Sequence, residues 1–117
     1  MPDSTLVPER QLLFSPGLAS TIGLNEAIML HQLQGFLAHR QANVRDGRAW
    51  LSIEREFLLQ TLPFWSLDDL QRISRSLVDK GVILVSSPPL QESGYLIFAL
   101  NETVVAHARH PQQYDRT

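Results

Sequence analysis

Pro63 cannot sit inside a helix, and Ser66 is placed to begin one. Proline disfavours the α region for the residue before it, so a helix arriving from the N-terminal side ends by Leu62. After the break Phe64-Trp65, the run Ser66-Leu67-Asp68-Asp69 reads as a capping box, with the Asp69 carboxylate positioned to reach back to the cap. The spacing predicts helices over 53–61 and 67–80, the first capped by Ser52 with Glu54 in its opening turn. The second has core positions Leu70, Ile73, Leu77 and Val78 and stops at Gly81, a C′ glycine. This joint is a helix-turn-helix, and the rest of the chain has to pack around it.

Upstream, residues 1–9 read as a flexible lead-in, and 10–15 as a strand or an ordered arm. Ser15-Pro16 reads as N-cap and first helical position of a short helix, 16–22, stopped by Gly23. Asn25 is the expected cap of a longer helix, 26–40. Positions 29, 30, 33, 36 and 37 form its main apolar face, and Leu24, Ile28, His31, Gly35 and Ala38 a second stripe. Residues 41–48 read as a turn tipped by Asp46-Gly47, followed by a short strand, Ala49-Trp50-Leu51. Beyond Gly81 the period changes to that of strands: 82–86, a loop at 87–93 holding Pro88 and Pro89, and a return strand, 94–100. Asn101 caps a last helix, 102–108. The polar tail 109–117 resembles the start of a linker, as in a piece of a longer protein.

Helix, strand, helix, turn, helix, strand, loop, strand is the order of an α+β winged helix-turn-helix, with the C-terminal β-hairpin as its wing. The domain is expected over 10–108. Several segments also resemble the DnaT-like primosomal proteins of bacteria: Leu24-Asn25-Glu26-Ala27, Leu62-Pro63-Phe64-Trp65, Asp69-Leu70-Gln71-Arg72, Ser76-Leu77-Val78-Asp79-Lys80-Gly81, the proline–leucine loop at 88–90, and Ser93-Gly94-Tyr95-Leu96. The resemblance covers about residues 10–102. It implies an N-terminal winged-helix domain with a part in loading replication or restart machinery, and primosome proteins as partners. It leaves open which surface does what.

Composition narrows the chemistry. With 117 residues there is room for one domain. The absence of Cys removes disulfides, thiolate metal sites and Cys nucleophiles. No phosphate loop, nucleophile elbow or His-Glu metal motif is present, so a non-enzymatic module without cofactor is expected. The histidines do not converge: His31 and His39 do not share a helix face, and His107 and His110 lack an adjacent carboxylate pair. No apolar run is long enough for a membrane span and the N-terminus has no secretion pattern, which predicts a cytoplasmic protein without membrane contact. A net charge of −2 excludes a domain that coats nucleic acid by charge alone.

The expected nucleic-acid residues are Gln71, Arg72 and Arg75 on the exposed face of the second helix, which also holds Asp68, Ser76 and Asp79, with Arg48 and Arg55 in support. The competing reading pairs Arg72 with Asp68 or Asp69 and Arg75 with Asp79 along the helix. Acids balance bases over 66–80, and the wing loop carries Glu92 and no basic residue, so weak DNA binding at most is expected. Arg40, Arg45, Arg48 and Arg55 make 40–55 the most basic stretch. Phe64 and Trp50 are expected in the core, with exposure for base stacking as the competing role. The second stripe of the long helix (Leu24, Ile28, His31, Gly35), with Leu12 and Phe14, predicts a homodimer or higher oligomer. A direct DNA-binding transcriptional regulator, or a single-stranded DNA binder, is the alternative function.

Overall fold

The computed structural model describes residues 16–109, with the side chains of 107–109 left aside. Residues 1–15, Leu12, Phe14 and Ser15 among them, and residues 110–117 lie outside the described residues. The described part is a mixed α+β domain: α1 (Pro16–Ile22), α2 (Leu24–His39), β1 (Asn43–Arg45), β2 (Arg48–Glu54), α3 (Arg55–Thr61), α4 (Leu67–Asp79), β3 (Ile83–Val85), β4 (Tyr95–Leu100) and α5 (Glu102–Arg109). The strands form one antiparallel sheet in the order β1-β2-β4-β3.

The α2 helix begins at Leu24 rather than after Asn25, because Gly23 takes the turn. At φ +108 its N–H closes α1 on the Ala19 carbonyl (3.1 Å) and its carbonyl accepts the first α2 bond from Ala27 N–H (2.9 Å). The Glu26 side chain folds back over the space a Cβ on Gly23 would need.

Residues 41–48 are more than a turn. Asp46 (φ +53) and Gly47 (φ +77) form a two-residue connection of the kind that matches strand twist, and Arg45 pairs with Arg48 across it. The strand that follows extends from Arg48 to Glu54, well past Leu51. Leu51 pairs with Phe98, Ser52 with Ile97, Ile53 with Leu96 and Glu54 with Tyr95. Leu51 and Ile53 face the core while Ser52 and Glu54 are exposed, so pairing and alternation together outcompete the helix expected from Ser52. Glu54, not Ser52, therefore stands at the N-cap of α3.

The joint at 62–66 folds as its residues dictate. Ser66 Oγ accepts from Asp69 N–H and Asp69 Oδ2 accepts from Ser66 N–H, both at 3.1 Å. Gly81, at φ +74, ends the segment, its N–H donating to the Val78 carbonyl at 2.9 Å. One core position differs: Ser74, not Val78, completes the buried face of α4 with Leu70, Ile73 and Leu77. These positions follow the i, i+3, i+4, i+7 spacing, and the Ser74 hydroxyl is satisfied by the Leu70 carbonyl at 2.7 Å. Val78 stands at the edge of that face, 37% exposed.

The core lies between the inner sheet face (Leu51, Ile53, Leu96, Phe98) and the helices, with Met29, Leu30 and Leu33 of α2 at its centre. The α5 helix packs on α1, and Asn101 Oδ1 accepts from Val104 N–H at 3.4 Å as its cap. No helix among the described residues is long and apolar enough to cross a membrane.

Candidate nucleic-acid interface

The α4 helix carries Gln71, Arg72 and Arg75, but the fold also gives each of them an internal partner. Arg72 Nη2 donates to Asp69 Oδ1 at 2.8 Å, and Arg75 Nε lies 3.6 Å from Asp79 Oδ1. Both pairs are exposed, so each contributes little to stability. Their local effect is nonetheless to cancel the charge a phosphate would meet. The hydrogen bond from Arg72, reinforced by Ser66, holds the Asp69 carboxyl below the usual carboxylate range. Lys80 leans toward Glu26 of α2 (3.7 Å) and donates to Ser76 Oγ at 2.7 Å.

The loop between β3 and β4 takes up the rest of this surface. Leu90 is buried, 1% exposed. Gln71 Oε1 accepts from Leu90 N–H at 2.7 Å, and Arg55 Nη1 donates to the Leu90 carbonyl at 3.1 Å. Gln91 Nε2 donates to Asp68 Oδ1 at 3.1 Å. The loop is thus tied to α3 and α4 instead of standing clear as a free wing. An open cleft of about 180 Å³ remains between α4 and this segment, lined by Val78, Val85, Pro88, Pro89 and Leu96 with Arg75 at its edge.

Of the five residues expected to contact nucleic acid, Arg48 alone has neither an ion pair nor a hydrogen bond from its side chain among those described here. It lies on β2 beside the Asp46-Gly47 turn, at the edge of a cleft of about 360 Å³ that also contains Asn101, Glu102 and Thr103. Arg45, opposite it on β1, places its guanidinium carbon 4.8 Å from the Trp50 ring centroid. Arg40 stacks on Phe57 at 4.6 Å, beside the Phe36–Phe57 contact.

The aromatic expectations change accordingly. Phe64 is 44% exposed and packs edge-on against Trp65, and it is Trp65 that lies partly buried against the core. Trp50 is half-buried on the outer sheet face, one position out of phase with Leu51 and Ile53, so alternation keeps it out of the core. Its indole N–H is buried with no hydrogen-bond partner. Sequence reasoning missed the Arg45–Trp50 stack because it read 41–48 as a turn. Asp-Gly between two extended runs was the signal for a hairpin.

The stripe proposed for self-association is split. Leu24 is 51% exposed and His31 and Ala38 are exposed, with Gly35 half-buried. Ile28 is 6% exposed. No group of metal-ligating side chains occurs among the described residues. No family model, curated protein or solved structure matches this chain.

Proposed function

We propose that this domain is the winged-helix module of a DnaT-like replication or replication-restart protein, non-enzymatic and acting through self-association and contacts with other primosome proteins, with only weak DNA binding. The observation that carries the reading is connectivity. The β2 strand pairs with β4, β4 pairs with β3, and the capped α3–α4 turn lies between β2 and β3 in the chain. That chain order supports reading the segment as a helix-turn-helix closed by a hairpin. The neutralised arginines of α4 and the docked loop favour a protein-contact role over duplex recognition. A direct DNA-binding regulator or single-strand binder is the second reading, favoured by the arginines of the β1–β2 hairpin.

Light scattering tests the self-association. The chain is expected to dimerise at tens of micromolar, and Leu24→Glu, at an exposed position, to give folded monomers. A wild-type monomer under those conditions refutes this reading.

A further inference from the structure

We propose that the outer face of the β1–β2 hairpin, and not α4, is where this domain holds a single-stranded nucleic acid, with Arg45 and Arg48 on its phosphates. Pairing fixes the face. Arg45 lies opposite Arg48 and Asn43 opposite Trp50, and strand alternation puts all four on one side of the ribbon. The same side continues along β2 and β4 to Tyr95, which lies opposite Glu54 and is 49% exposed.

Like charges directly opposite in a sheet repel, so the Arg45–Arg48 pair costs stability unless something offsets it. Neither arginine has a carboxylate within ion-pair distance among the described residues, whereas Arg72, Arg75 and Lys80 each have one. Asp46 and Glu102 line the cleft beside Arg48 without an ion pair to it, and Glu54 sits at the far end of β2, beside Tyr95. The contact with the Trp50 ring restrains the Arg45 guanidinium, so less side-chain freedom is lost when its N–H groups meet an anion.

The choice of nucleic acid over an acidic peptide rests on Tyr95. An exposed aromatic on the same sheet face, about 20 Å along β2 from Arg48, suits an extended strand whose bases are unpaired and can stack. A duplex keeps its bases inside and offers nothing for Tyr95. This inference rests on the second reading above, the single-strand binder, and gives it a surface; self-association does not depend on it.

The test is fluorescence anisotropy with a labelled oligothymidylate of about 20 nucleotides, from about 25 to 200 mM salt. Two phosphate contacts on a single strand predict a log–log salt slope of about −1.4, a roughly sevenfold loss of affinity between about 50 and 200 mM. Arg45→Ala with Arg48→Ala should flatten the slope and weaken binding about tenfold or more at low salt, while melting no lower than wild type. Arg72→Ala with Arg75→Ala should stay within about twofold of wild type. Tyr95→Phe should bind normally, and Tyr95→Leu should lose about fivefold or more. A duplex of equal length should bind more weakly. The proposal is overturned if the hairpin double variant binds like wild type, if the α4 double variant is the one that fails, or if no binding is seen at low salt. It is overturned equally if the duplex binds as well, or if polyglutamate competes as well as unlabelled oligothymidylate at equal charge. Each of these outcomes leaves the light-scattering result standing on its own.

Discussion

Replacing Leu90 by Ala tests whether the β3–β4 segment is part of the folded body. Leu90 is 1% exposed although it belongs to a loop, and its backbone is bound on both sides, N–H to Gln71 and carbonyl to Arg55. Truncating a buried leucine costs about 2–5 kcal/mol, depending on how far the site collapses. A loop closes over a cavity more readily than a helix pair does, so about 2–3 kcal/mol is expected here. For a domain of this size that corresponds to a fall in melting temperature of about 10–20 °C. Circular dichroism on heating, and urea denaturation for the free energy, give the two numbers independently. Gln71→Ala should cost about 1 kcal/mol, because the freed amide can recover water. The two changes should be less than additive, since a loop already loosened has less to lose. If Leu90→Ala costs under about 0.5 kcal/mol, the loop is not seated on α4 and Gln71 belongs to a free surface.

Two further outcomes follow from the α4 cap. Ser66→Ala should destabilise by about 0.5–2 kcal/mol, read from the urea midpoint; an unchanged midpoint would mean that the capping box does not hold this helix. The Asp69 carboxyl is held below its ordinary value, so its contribution is fully present above the normal carboxylate range and is lost as pH falls through the lowered value. Acid titration should therefore show a loss of stability that Asp69→Asn reduces, and an identical acid profile in that variant would refute the assignment.

Much of the fold was legible because local chemistry and tertiary structure agree. Pro63, Ser66, Asp69 and Gly81 each act within a few residues, so their turn and caps could be read directly. Ser52 shows the opposite case. It is a good cap, but β4 offers Leu51 and Ile53 a sheet position, and that long-range pairing is not encoded near Ser52. The site was legible only in its alternatives. Spacing along α4 permitted either phosphate contacts or i, i+3 and i, i+4 ion pairs, and the structure has the ion pairs. That Gln71 and Arg55 both converge on Leu90 depends on how the loop folds back, which no local pattern predicts. The Arg45–Trp50 stack depends on hairpin register, which becomes visible once Asp46-Gly47 is taken as a two-residue connection.

The most direct test of the proposed role is a salt series of duplex binding. A duplex of about 20 base pairs is titrated by anisotropy at about 150 mM salt and below. A module whose α4 arginines are internally paired and whose loop is docked should show no saturable duplex binding at the higher salt, and only a shallow slope below it. Saturable binding at about 150 mM, with a slope near −5 as six phosphate contacts require and abolished by Arg72→Ala with Arg75→Ala, would contradict it and make α4 a recognition helix.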